Sequence, residues 1–305
     1  MRKIPYIFLF LIISVGAYGQ LAPVTDQYVL NPLSINPAYA GSRGALNIAA
    51  LYRQQWVGIS GAPKTMTLAV DAPLFDEKVG AGIIIANDKI GVTKETQVIS
   101  DYAYKIDIKE GILSLGLGAG IITTNTAWSD LVVLDQGDDN YLIDSRLFVV
   151  PTVSFGAYFS KNNYYAGFSR PKILCYKFDF KNNKYDLLIK PGQNGYMLTG
   201  GYSFSISPKL KFLPSTLLTL IPREKLLLDI NAHFNYIDRF WIGVSYRNNR
   251  SFAGLFQFQI NNQLKIAYTY NLDFNKLRTY SNGSHEIMLR YEFRYKVDVA
   301  NPLIF

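Results

Sequence analysis

The chain has 305 residues, 49% of them hydrophobic, with 22 Tyr, 19 Phe and a formal charge of +8. Its single cysteine, Cys175, excludes an internal disulfide framework, and its Lys and Arg residues are scattered, without the cluster or stripe that nucleic-acid binding uses. Beyond the N-terminus no apolar run approaches the roughly 20 residues of a spanning helix, so any crossing of a membrane falls to strands.

Residues 1–19, MRKIPYIFLFLIISVGAYG, combine a basic start, a short apolar run and the small-x-small ending Ala17-Tyr18-Gly19. This is the form of a secretory signal, with the mature chain starting at about Gln20. Residues 20–44 follow as a distinct N-terminal segment containing NPLSINPAYAGSRG. Pro32 and Pro37 fix φ, remove ladder donors and push Asn31 and Asn36 out of the helical region. The segment is neither an ordinary helix nor a central strand, yet Leu33, Ile35, Ala38 and Tyr39 are too apolar for a free tail.

From residue 45 to 295 the pattern has a period of two. Leu226, Leu228, Ile230, Ala232, Phe234 and Tyr236 share one parity, and Asp229, Asn231, His233 and Asn235 the other. Leu264, Ile266, Tyr268, Tyr270 and Leu272 alternate in the same way, as do Ile287, Leu289, Tyr291, Phe293 and Tyr295 against Glu286, Arg290, Glu292 and Arg294. Each stretch is a strand with one apolar and one polar face. Fourteen such strands are expected, at about 45–53, 64–72, 79–87, 95–108, 111–124, 146–160, 163–170, 194–207, 209–221, 224–236, 239–247, 251–260, 263–272 and 285–295. The ninth is interrupted by Pro214.

Tight turns such as Lys161-Asn162-Asn163 and Asn261-Asn262 follow even-numbered strands, whereas the long loops 125–145, 171–193 and 273–284 follow odd ones. A soluble β-sandwich would alternate similarly but has no reason to keep its tight turns on one side. An all-β, antiparallel outer-membrane β-barrel does, with short periplasmic turns and long outer loops. Closure also removes edges that lipid does not tolerate. Tyr102, Tyr104, Tyr268 and Tyr270 suit an interfacial aromatic belt. Residues 296–305 then form a C-terminal tail.

Gln27-Tyr28, NPLSINPAYAGSRG, Arg53-Gln54-Gln55-Trp56-Val57-Gly58 and Gly61-Ala62-Pro63-Lys64-Thr65 resemble the PorP/SprF family, as do LLLDINAHFNYIDRFWIGVSYR, INNQLKIAYTY and SHEIMLRYEF farther on. The resemblance covers essentially the whole mature chain. It implies an outer-membrane protein of the type IX secretion system, linked to gliding motility and display of large adhesins. Its implied partners are a large secreted adhesin outside, motor-ring proteins or lipoproteins on the periplasmic side, and outer-membrane lipids. The tail RYKVDVANPLIF departs from members that stop near Phe293, so the barrel-insertion signal is either Ile287–Phe293 or the final Phe305.

No catalytic constellation emerges, and no cofactor or metal is expected. His233 shares a face with Asp229, but with Lys265, Arg290 and Glu292 they read as lumen-filling polar residues. Gly116-Leu117-Gly118-Ala119-Gly120 lies inside a strand with no helix after it, which removes the phosphate-binding context. The acidic run DQGDDN at 135–140 lacks the full EF-hand spacing. Weak calcium binding and a solvated turn both stay open there.

Gly80, Gly82, Gly116, Gly118, Gly120 and Gly156 all have lumen parity, and strand glycine often marks close backbone approach. The N-terminal segment is therefore expected to plug the periplasmic side, bent by Asn31-Pro32 and Asn36-Pro37, with Tyr39 and Gly41 near the patch. The alternative is that these glycines serve barrel curvature. Arg53, Gln54, Gln55 and Trp56 enter the first outer loop, where Trp56 is either a headgroup anchor or a partner contact. Trp128, Tyr176 and Phe178 are the outer-loop contact candidates. Two functions follow: an assembly component that exports, anchors or presents an adhesin, or a pore for small solutes resembling a fatty-acid transporter.

Overall fold

The computed structural model describes residues 26–75, 77–109, 111–131, 144–179, 184–188, 195–221, 226–248, 250–274 and 276–293. The leader at 1–19, the acidic run at 135–140, the side chains of Cys175 and Phe178, and the tail at 296–305 with Phe305 lie outside them. Among the described residues no helix is long and apolar enough to cross a membrane.

Fourteen strands form one closed antiparallel barrel. They are β1 (Leu46–Gln54), β2 (Lys64–Leu74), β3 (Val79–Ile90), β4 (Thr93–Ile108), β5 (Gly111–Thr126), β6 (Phe148–Lys161) and β7 (Tyr164–Arg170). The second half comprises β8 (Tyr196–Tyr202 and Phe204–Ser207), β9 (Leu210–Leu220), β10 (Leu227–Tyr236), β11 (Phe240–Arg247), β12 (Ser251–Gln259), β13 (Leu264–Asp273) and β14 (Ser284–Phe293). Each pairs with its chain neighbour, and β14 closes on β1 in a register running from Leu46 opposite Phe293 to Gln54 opposite His285.

Alternation sorts the residues as the period of two requires. Along β10, Ile230 is 51% exposed while the adjacent Asn231 is 1% exposed. Outward side chains of Leu, Ile, Phe and Tyr make the lipid-facing band, and inward polar residues are buried. The connections after the even-numbered strands are short and lie at one end, but the two-residue turn Gly91-Val92 between β3 and β4 is a tight turn at the other, long-loop end. In the three-residue β10–β11 connection both Ile237 and Asp238 take left-handed φ values of 50° and 56°, and the Arg239 amide donates back to the Tyr236 carbonyl at 3.1 Å; positive φ at both central residues suits the right-handed twist of the flanking strands.

Two details differ from the sequence reading. The eighth strand is split at Ser203, because its register places Tyr202 across from Pro214, which has no N–H to donate; Ser203 donates instead to the Asn163 carbonyl at 2.7 Å. The loop at 171–193 is not irregular throughout. It contains a separate hairpin, Cys175–Asp179 paired with Lys184–Leu188, whose short runs carry too few residues for alternation to show.

Candidate functional site: the filled lumen and its rims

The N-terminal segment folds inside the barrel. Each Asn-Pro pair opens a single 3₁₀ turn, Pro32–Ser34 and Pro37–Tyr39, with proline at the first turn position where no donor is needed. Asn36 caps the second turn by accepting from the Ala38 amide at 3.0 Å. A further turn spans Asp26–Val29.

The apolar side chains of this segment supply the interior. Tyr28, Val29, Leu30 and Ile35 pack with Ala49, Leu51, Leu217, Leu255, Ala267 and Met288. Leu33, Ala38, Tyr39 and Ala40 pack with Ala69, Ile84, Ala103 and Tyr158. A Tyr39–Tyr158 edge-to-face pair, 5.2 Å between centroids, lies in the second group. Full burial of the larger of these side chains contributes about 1.5–3 kcal/mol each.

Polar contacts fix the segment along the length of the wall. Near the long-loop end of β14, Gln27 N donates to Glu286 Oε2 at 3.2 Å, and Arg53 Nε meets Glu286 Oε1 at 3.0 Å. Farther down, Asn231 Nδ2 donates to Tyr28 Oη at 2.6 Å and Ser169 Oγ donates to the Ile35 carbonyl at 2.6 Å. Near the tight-turn end, Arg43 reaches Glu292 at 3.2 Å and donates to the Leu30 carbonyl at 2.7 Å. Arg290 donates to that same carbonyl, and Lys265 Nζ meets both Glu292 oxygens at 3.1 Å. Asp71 accepts from the Gly41 amide at 3.0 Å and from Asn47 at 2.7 Å, while Lys105 donates to the Gly41 carbonyl at 2.6 Å. Buried ions paired in this way are costly to separate.

The glycine patch divides in two. A Cβ on Gly80 would overlap the Ala40 carbonyl, one on Gly116 the Ala38 amide, and one on Gly156 the Asn36 side chain. Leu33 lies 3.3 Å from the corresponding position on Gly82. These four make room for the segment. Gly118 and Gly120 do not: a Cβ there would meet Asp101 and Ser154, or the Val98 carbonyl, all parts of the wall.

Of the lumen residues singled out by pattern, Lys265, Arg290 and Glu292 come together with Arg43. Asp229 stands apart, held bidentately by Arg247 at 2.7 and 2.8 Å, and the buried His233 Nδ1 has no hydrogen-bond partner among the described residues, so the two do not form a pair. The His233 ring packs over Gly243, where a Cβ would overlap it. Among the described residues no group of three or more His, Cys, Asp or Glu could hold a metal. Pattern reading missed Arg43, Asp71 and Glu286 as anchors. Their signal is the charge itself, which for Asp71 and Glu286 lies on the strand face opposite the apolar parity.

At the long-loop end, Arg53 is buried on Glu286 rather than presented outward. Gln54 and Gln55 are partly exposed, and Gln55 N donates to the Pro63 carbonyl at 2.9 Å. Trp56 takes φ 45° and its indole donates to Asp273 Oδ2 at 3.0 Å, tying the first outer loop to the end of β13. Trp128 opens a short 3₁₀ turn and is partly buried. Ser129 binds Asp144 through its amide at 3.0 Å and its hydroxyl at 2.7 Å, and these bonds hold the Asp144 carboxyl below its usual range. The hairpin after β7 folds onto the rim: Tyr176 Oη donates to the Pro151 carbonyl at 2.7 Å, and Tyr185 meets Phe148 edge-on at 5.0 Å.

A family model described as "Type IX secretion system membrane protein PorP/SprF" matches residues 17–291. No curated protein sequence matches. Similar solved structures include the Acinetobacter baumannii outer membrane protein Omp33, at 6% identity over 82% of this chain and 98% of that one, with a TM-score of 0.49. The CymD monoaromatic hydrocarbon channel is 11% identical over 90% of this chain and 94% of its own, at 0.48. A Pseudomonas aeruginosa FadL homologue is 11% identical over 82% and 89%, at 0.46.

Proposed function

The chain belongs to the PorP/SprF family of type IX secretion system membrane proteins, and on that premise we propose that it acts as a non-conducting, non-enzymatic outer-membrane component that helps export, anchor or present a large surface adhesin through protein–protein contacts. The observation that carries this reading is the occupied lumen. The N-terminal segment contacts wall positions on β1 to β10 and on β12 to β14, so the barrel interior is taken up with holding its own chain. The inward charges Asp71, Asp229, Lys265, Glu286, Arg290 and Glu292 are engaged by that segment or by other charged side chains rather than left to line a small-solute channel. Contact surfaces are then left to the two rims: the outer loops for an exported partner, and the tight-turn mouth for periplasmic partners of the motor ring.

A crosslinked pull-down of the tagged protein from solubilised outer membranes, read by mass spectrometry, tests the proposal. Recovery of a very large secreted protein, or of ring lipoproteins of the secretion machinery, is expected. Recovery of the barrel alone, together with channel conductance in planar bilayers, would overturn it in favour of a pore.

A further inference from the structure

The outward surface of β2, β3 and β4 carries an arrangement that lumen filling and rim contacts do not use. Lys64 pairs in register with Lys89, and Lys89 with Lys94. All three are exposed and have the lipid-facing parity, since the alternate residues Ala69, Ile84 and Ala103 of the same strands point into the core. Gln54 on β1 and Asn125 on β5 flank the row in register, so among the described residues no carboxylate stands in register with it on this face. Asp88 and Glu95 lie on the opposite face, bonded to Thr65 at 2.5 Å and Lys172 at 3.7 Å. Like charges directly opposite one another destabilise a sheet pair, and here two such pairs are adjacent.

The surface beneath the row is graded. One step toward the membrane come Met66, Asn87 and Thr96 in register, with Asn87 Nδ2 donating to Thr96 Oγ1 at 2.7 Å. The next outward tier is Leu68, Ile85 and Val98. From the long-loop rim inward the face therefore offers cations, then hydroxyl and amide groups, then an apolar wall. With strands about 4.8 Å apart, the three ammonium stems span roughly 10 Å.

We propose that Lys64, Lys89 and Lys94 bind the phosphates of a phosphorylated glycolipid of the outer leaflet, with Asn87 and Thr96 facing its sugar hydroxyls and Leu68, Ile85 and Val98 its acyl chains. Lysine suits this role as a mobile point charge for phosphate, and bound phosphate relieves the repulsion along the row. The proposal is independent of the secretion role, because it concerns the lipid face rather than either rim.

The test uses native mass spectrometry of the full chain in detergent, titrated with bisphosphorylated lipid A, dephosphorylated lipid A or phosphatidylglycerol. Wild type is expected to retain bisphosphorylated lipid A at least about tenfold better than the Lys64→Gln/Lys89→Gln/Lys94→Gln variant, about 1.4 kcal/mol. The corresponding triple Arg variant restores binding, and millimolar inorganic phosphate leaves the lipid in place. Equal retention by the Gln variant, equal binding of dephosphorylated lipid A or phosphatidylglycerol, or displacement by inorganic phosphate overturns the assignment. Heat-modifiable gel mobility reports folding of each variant. If the triple Gln variant fails to fold, Lys89→Gln carries the test, with a reproducible loss of lipid A retention expected and no loss overturning the site.

Discussion

Asn36 occupies the space that a side chain on residue 156 would need. Its Oδ1 lies where a Gly156 Cβ would project, and its Nδ2 donates to the neighbouring Ala157 carbonyl at 3.1 Å. The absence of a side chain in one strand is thus matched to a capping amide in a segment about 120 residues earlier. Gly156→Val should destabilise the seated segment by about 1–3 kcal/mol, the usual cost of overpacking. Limited proteolysis of the folded barrel should then cut within residues 26–44, whereas wild type resists.

Deleting residues 21–40 removes the interior packing without touching a strand. Single-channel conductance in planar bilayers should rise well above wild type, and the barrel should unfold at lower temperature because both core clusters lose their central members. Unchanged conductance would mean that something other than this segment closes the lumen.

Arg43 and Glu292 are both buried, and Glu292 is shared with Lys265. Arg43→Met leaves Glu292 with one cation and the Leu30 carbonyl with one donor. Breaking such a buried pair from one side costs about 3–5 kcal/mol. Urea denaturation of the refolded protein should show this loss. The double variant Arg43→Met/Glu292→Gln should be less stable still, because it also leaves the buried Lys265 Nζ, which meets both Glu292 oxygens, without its carboxylate.

Trp56→Phe keeps an aromatic ring but removes the donor to Asp273. A neutral-to-charged bond of this kind contributes about 1.5–3 kcal/mol, here confined to the first outer loop. Protease sensitivity at residues 57–62 should increase while conductance and barrel melting stay at wild-type values.

The barrel was largely legible in the sequence because lipid imposes a period of two on every strand, and Leu226–Tyr236 or Ile287–Phe293 could satisfy that period in no other way. Pro214 likewise announced the interruption, although the break falls in the partner strand at Ser203. Alternation tells which residues turn inward but not what they meet there. Gly116 and Gly118 have identical parity, yet one faces Ala38 of the N-terminal segment and the other faces Asp101 and Ser154 of the wall. The Asn-Pro pairs revealed an ordered, bent segment, since proline chemistry is local. Its anchors Arg43, Asp71 and Glu286 were hidden because their partners lie as far as 259 residues away.

β14 carries Glu286, Arg290 and Glu292, which hold the two ends and the middle of the N-terminal segment, and it also closes the seam against β1. A segment made early in synthesis can therefore finish folding only when the last strand docks. Until then the segment has Asp71 and Lys105 at Gly41 but lacks Glu286, Arg290 and Glu292, and the sheet is open, so a stalled assembly intermediate displays both defects at once to periplasmic proteases. Barrel closure and lumen filling are one checkpoint, and a chain truncated before Glu286 fails both.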